Sequence, residues 1–166
     1  MNSIQISKFL TKHVKYFQGV CQIDLLSSTI IQPSIIVIKV HMHYYPGSRW
    51  VAFLFFRLWL RRIFWFVRFA TVKLEIKIYL QHHSISWTFN CHWLQGLTSI
   101  AYGYYCCLYA LHRPRGMSMT SIVNICLPAR YTCNDIRAVS MFRVQFWECS
   151  ACCQLGHRQQ SCRSEV

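Results

Sequence analysis

Four residues of metal-ligating types lie close together near the end of this 166-residue chain. The spacing C-x2-C-x4-H-x4-C is formed by Cys149, Cys152, His157 and Cys162. The two-residue gap lets two thiolates reach one ion from a tight turn, and the four-residue gaps return an imidazole and a third thiolate. Three thiolates and one imidazole complete the closed tetrahedral shell of a structural zinc site. The spacing therefore predicts that residues 149–162 bind one Zn²⁺.

This spacing resembles the zinc knuckle of retroviral nucleocapsid proteins and related cellular RNA-binding proteins, over Cys149–Cys162 only. As in that family, a glycine, Gly156, stands directly before the histidine. The resemblance implies binding of single-stranded RNA or DNA, with the knuckle contacting bases and basic residues contacting phosphates. Ser150 stands where the family often has an aromatic residue, and Arg158 where it often has an apolar one. The residues expected to contact nucleic acid are Arg143, Arg158 and Arg163.

Groups suited to catalysis are scarce in the sequence. No two of its five acids lie within ten residues of each other; they are Asp24, Glu75, Asp135, Glu148 and Glu165. The chain has no Gly-rich phosphate loop, no GxSxG elbow and no HExxH sequence. Ten Cys and eight His leave open a Cys–His pair assembled by the fold. We expect that the protein is not an enzyme, and nothing in the sequence indicates a small-molecule substrate.

The charge balance is strongly basic, with 18 Lys and Arg against five acids and a formal net charge of +13. Such a charge favours polyanionic partners, through contacts that depend on salt and little on sequence. The ten cysteines are not preceded by a usual signal-peptide pattern, and no N-x-S/T sequon occurs. We therefore expect reduced thiols and an intracellular rather than a secreted protein.

The periodicity of apolar residues predicts an irregular α+β fold. Apolar residues recur at three- and four-residue steps over 4–17, which is typical of an amphipathic helix with its lysines on the other face. Alternation of apolar and polar residues predicts short strands near 35–45 and 71–80. A cysteine-rich C-terminal tail follows at 149–166. Elsewhere the periodicity is patchy, which leaves open a chain without a unique tertiary fold.

The apolar stretch Val51–Val67 offers a second interpretation, in which the protein is a small basic membrane-associated protein. Its Leu, Ile, Phe and Val residues favour insertion into a bilayer by roughly 3–7 kcal/mol in all. Arg57, Arg61 and Arg62 oppose insertion by roughly 7–10 kcal/mol together. The sequence therefore predicts a helix that lies in a membrane surface and does not span it.

The composition divides the chain into a basic, apolar-rich region at 1–111, a linker-like region at 112–148 and the zinc knuckle at 149–162. Three hypotheses on function follow. The leading one is the product of a dubious or normally noncoding reading frame with no selected function, because propensity, pattern and charge often disagree along the chain. The best positive hypothesis is single-stranded RNA or DNA binding through the knuckle. The third is membrane-surface association.

Overall fold

The computed structural model describes residues 1–40, 49–55, 61–64, 74–83, 87–90, 92, 94–96 and 98–155. Its helices are α1 (Ser3–His13), α2 (Leu74–His83), α3 (Tyr102–His112), α4 (Met119–Val123) and α5 (Tyr131–Leu155). Its strands are β1 (Phe17–Gln22), β2 (Ser34–Lys39), β3 (Trp50–Phe55), β4 (Arg61–Phe64) and β5 (Trp87–Phe89). A 3₁₀ turn at Ile23–Leu25 follows β1. Helices and strands thus mix along the chain, and the irregular α+β fold is confirmed.

The strands form one mixed sheet in the order β1-β2-β3-β4-β5. The two outer pairs, β1–β2 and β4–β5, are parallel, whereas β3 runs antiparallel to both β2 and β4. Ile35–Ile38 of β2 and all six residues of β3 are buried. A strand buried on both faces carries a continuous apolar run, which accounts for the composition of these two segments.

Helix α3 is the central element of the core. It contacts β3, α1 and α5, and nearly all of its residues are buried. Gly103 allows α1 to approach closely, since a Cβ at this position would stand 2.9 Å from the Cβ of Met1 and 3.1 Å from Cδ1 of Ile6. One cluster of buried side chains extends from Ile6 in α1 to Phe142 in α5.

The N-terminal helix predicted for 4–17 is confirmed for most of its length, since α1 runs from Ser3 to His13. Ile6 and Leu10 are fully buried, while Lys8 and Lys12 are exposed, as the amphipathic pattern requires. A capping box fixes its start: the backbone N–H of Gln5 donates to the Asn2 side chain over 2.9 Å, and the Asn2 N–H donates back to Gln5 over 3.0 Å.

The strand predicted near 35–45 is confirmed as β2 up to Lys39, and residues 41–45 lie outside the described residues. The strand predicted near 71–80 is wrong, because Leu74–His83 form α2. Ile76, Tyr79 and Leu80 are buried, at the spacing of one helix face. The apolar residues Leu74 and Ile78, which a strand would bury with Ile76, are 67% and 56% exposed.

The interfacial helix predicted for Val51–Val67 is also wrong. Residues 50–55 and 61–64 are the paired antiparallel strands β3 and β4, and 56–60 and 65–67 lie outside the described residues. Aromatic and β-branched residues favour a pleated, buried surface, which β3 finds between β2 and β4. Throughout the described ranges, no helix combines the length and apolar character needed to cross a bilayer.

The range 112–148, where the composition indicates a linker, contains α4 and the first part of α5. Asn134 connects this range to the rest of the molecule. Its side chain accepts from the N–H of Leu127 over 2.7 Å and donates to the carbonyl oxygens of Leu127 and Leu94 over 2.8 and 3.2 Å. Ile122, Ala138 and Phe142 belong to the common core.

Candidate nucleic-acid interface

The ligands of the predicted zinc site fall partly within α5. Cys149 and Cys152 lie three residues apart in this helix, whereas His157 and Cys162 lie outside the described residues. Three thiolates and an imidazole are a donor set that fits Zn²⁺. Among the residues the structure describes, no three His, Cys, Asp or Glu side chains are grouped to hold a metal ion. The zinc site thus stays a prediction.

Of the three residues predicted to contact nucleic acid, one lies within the described residues and two lie outside them. Arg143 is an exposed residue of α5, while Arg158 and Arg163 lie outside the described residues. Phe142, the residue before Arg143, is buried against both α1 and α3. The packing of Phe142 therefore fixes the part of α5 that carries Arg143.

The ends of α1 and α3 bring further basic side chains together. Arg115, in the loop after α3, lies close enough to both His13 and His112 to act on their charges. Lys12 acts on His13 in the same way from the last turn of α1. To these four side chains we add Arg143, whose neighbour Phe142 packs against Phe9, and we call Lys12, His13, His112, Arg115 and Arg143 the basic surface. The sequence gives little sign of it, because its members come from three distant segments.

A tight turn after α3 places Arg115 in this surface. Gly116 has φ +89°, a conformation that residues with a Cβ adopt rarely. Its N–H donates to the carbonyl of Arg113 over 3.1 Å, and the N–H of Met117 donates to that of His112 over 3.2 Å. The guanidinium of Arg113 donates to the carbonyl of Met117 and closes the same turn.

Aromatic rings lie beside the basic side chains. The ring of Phe9 is 4.8 Å from that of His13 and 4.6 Å from that of Phe142, between centroids. Tyr104 contacts Phe142 edge-on, with a centroid distance of 5.2 Å. Phe9 and Tyr104 are only half-buried. Exposed ring surface next to cations is the combination that binds single strands, because bases stack on the rings while cations contact phosphates.

The two histidines of the basic surface are held towards their neutral form. Burial lowers the pKa of His13 from its ordinary value of 6.5, and the charges of Lys12 and Arg115 lower it further. Burial also lowers the pKa of His112, with a further contribution from Arg115. At neutral pH the positive charge of this surface therefore comes from its Lys and Arg side chains.

A second cluster of reactive types lies inside the fold. The hydroxyl of Tyr105 donates to Oδ1 of Asp135 over 3.3 Å, and Cys126 lies beside it. Tyr105 and Cys126 adjoin a cavity of about 20 Å³, the size of one water molecule. Burial raises the pKa of the Cys126 thiol to about 11, so the thiol is protonated at neutral pH and is a poor nucleophile. The cluster is therefore suited to packing and hydrogen bonding and not to covalent catalysis.

The fold also assembles a cleft that the sequence does not indicate. It lies between the 3₁₀ turn and α2, has a volume of about 410 Å³, and is lined by Asp24, Leu26, Glu75, Ile78, His82 and His83, among others. We call it the acidic cleft. Its two carboxylates lie far apart in the sequence, and no local pattern marks them as neighbours. The sequence as a whole matches no known protein family, and no curated protein is similar to it.

Proposed function

We propose that this protein binds single-stranded nucleic acid through the basic surface. The observation that supports this proposal best is the position of Arg115, which acts on both His13 and His112 beside the half-buried ring of Phe9. Cations and aromatic rings in one place can contact the phosphates and the bases of the same strand. A net charge of +13 adds attraction to any polyanion.

The predicted zinc knuckle would extend this surface. In the proposal, Zn²⁺ is held by Cys149, Cys152, His157 and Cys162. The metal would fold the segment after α5, because such short segments gain their folding free energy from metal binding. Arg158 and Arg163 would then add phosphate contacts beyond Arg143.

Neutralising three cations tests the basic surface. In the triple variant Lys12→Gln, Arg115→Gln and Arg143→Gln, we expect the affinity for a single-stranded RNA oligonucleotide to fall about 100-fold at ~0.1 M salt. Each lost phosphate contact also lowers the slope of log affinity against log salt by ~0.7. Fluorescence anisotropy over a salt series measures both quantities.

The matched control is the triple variant Lys77→Gln, Arg130→Gln and Arg137→Gln. It removes the same net charge from exposed positions that do not belong to the basic surface. An equal loss of affinity in the two triple variants would reduce the effect to net charge and contradict the proposal. No binding by the unsubstituted protein, together with no native peptide detected in cells by mass spectrometry, would favour the noncoding-frame hypothesis.

The zinc knuckle has its own test. Co²⁺ added to the protein should give the absorption of a tetrahedral site with three sulfurs and one nitrogen, with release of protons from the thiols. Cys149→Ser and Cys162→Ser should abolish this spectrum, because a closed structural site has no spare ligand. Cys153→Ser is the control and should leave the spectrum intact. An equal loss in Cys153→Ser and Cys152→Ser would show that the ligand assignment is wrong.

Membrane-surface association is the alternative function. Two apolar segments of the chain that could contact a bilayer are, however, buried in the fold. Ile6 and Leu10 of α1 face the core with no exposure, and Trp50–Phe55 form a buried strand. A membrane contact would then rely on attraction between the basic surface and anionic lipids. Co-sedimentation with anionic vesicles, with RNA as competitor, separates the two partners. Binding to vesicles but not to RNA would favour the membrane.

A further inference from the structure

The acidic cleft combines two chemical features. Much of its lining is apolar, from Leu26, Ile78 and neighbouring residues, while Asp24 and Glu75 supply carboxylates. Ile78, which lines the cleft, is 56% exposed. The cleft therefore offers apolar contact area next to negative charge.

This arrangement is unusual for the chain to which it belongs. The chain has only five acids against 18 Lys and Arg, yet two of the five line the same cleft. A partner that complements the cleft must carry positive charge on an apolar support. Lysine has this chemistry, because its methylene stem packs on apolar surface while the ammonium group reaches a carboxylate.

We propose that the acidic cleft binds helix α1 of a second copy of this chain. The solvent face of α1 presents Ile4, Lys8 and Lys12 at four-residue steps, and all three are exposed. Residues at this spacing lie one above the other on a helix. Ile4, 65% exposed, would contact the apolar lining, and Lys8 or Lys12 would reach Glu75.

The proposed contact joins two different surfaces, so in a pair one copy keeps an unoccupied α1 face and the other keeps an unoccupied cleft. Such head-to-tail contacts form rings when the rotation closes and open chains when it does not. Net repulsion between two copies of charge +13 opposes the contact. At ~0.1 M salt, charges more than about 10 Å apart are largely screened, so the adjacent opposite charges dominate. At ~1 M salt the adjacent pairs are screened as well.

Sedimentation equilibrium of the full chain is the first test. We expect an average mass that rises with protein concentration at ~0.1 M salt and falls towards that of the monomer at ~1 M salt. Glu75→Gln should weaken self-association by about fivefold, the effect of one exposed ion pair. Gln81→Lys is the matched control, because it changes the net charge by the same amount at an exposed position of α2 outside the cleft.

A charge exchange between two copies is the decisive test. Glu75→Lys and Lys8→Glu should each self-associate less than the unsubstituted chain, and an equimolar mixture of the two should associate again. In a mixture of ¹⁴N and ¹⁵N chains, a carbodiimide should link Glu75 of one copy to Lys8 or Lys12 of another. Any one of four results would overturn the proposal. These are a monomer at every concentration, equal effects of Glu75→Gln and Gln81→Lys, no recovery of association in the mixture, and a link from Glu75 to a segment other than α1.

Discussion

The basic surface and the acidic cleft are opposite in charge and differ in what their charges signify. Lys and Arg outnumber acids by 18 to five, so much of this molecule's surface is basic whatever the fold. The distinctive feature of the basic surface is therefore its aromatic and histidine side chains, Phe9, Tyr104, His13 and His112. In the acidic cleft the charge itself is distinctive, because acids are rare in the chain and two of the five line this cleft. The charge of a site is thus most informative when its sign is opposite to the net charge of the chain.

Among the substitutions that should alter the basic surface, Gly103→Leu should have the largest effect on stability and RNA affinity. A side chain at this position meets Met1 and Ile6, so it should displace α1 from α3. We expect a loss of about 1–3 kcal/mol in the free energy of unfolding, as for other overpacked cores, measured by urea denaturation. Affinity for RNA should fall, because Lys12 and His13 move with α1.

Gly96→Ala is the control for this substitution. Its new Cβ would make an ordinary contact of 3.6 Å with Cβ of Tyr131, so stability and RNA affinity should change little. Retained RNA affinity in a folded Gly103→Leu variant would show that the position of α1 does not matter for binding.

A drop in pH should strengthen the binding of RNA to the basic surface. His13 and His112 have lowered pKa values and are neutral at pH 7.5, so both gain charge as the pH falls below 6.5. Because both pKa values are lowered, the tightening of RNA binding should begin below pH 6.5 and reach about tenfold once both histidines are charged, measured by fluorescence anisotropy over a descending pH series at ~0.1 M salt.

The stability of the unbound protein should change in the opposite direction. A base with a pKa lowered in the folded state binds protons more readily when unfolded, so the free energy of unfolding falls as the pH falls below 6.5.

The variant His13→Gln with His112→Gln should lose most of the pH dependence of RNA binding. The control, His82→Gln with His83→Gln in the acidic cleft, should retain it, and the reverse result would place the pH-sensitive site in the cleft.

The smallest effect should come from the start of α1. Asn2→Ala removes the side-chain half of the capping box and should cost about 1 kcal/mol of stability. Hydrogen exchange should increase in the first turn of α1, with less change near Lys12 and His13. Ser3→Ala, at the first helical residue, is the control. Exchange that increases equally along α1 would show that the whole helix depends on its cap.

Elements whose apolar pattern fits a single secondary structure can be predicted from the sequence alone. The apolar stripe at Ile6 and Leu10, with lysines opposite, allows only a helix packed on its apolar side. The run Ile35–Ile38 is short and β-branched, which favours a buried strand. The net charge of +13 also follows from composition alone.

Segments whose apolar pattern fits two secondary structures depend on tertiary packing for their conformation. Residues 74–80 satisfy both the strand period and the helix spacing of Ile76, Tyr79 and Leu80, and in the fold they form a helix that buries these three side chains. Val51–Phe55 is apolar throughout and has no period, so pairing with β2 and β4 selects a strand. The common lining of one cleft by Asp24 and Glu75, and the effect of the Arg115 charge on His13, likewise follow from the packing of distant elements, which no local pattern encodes.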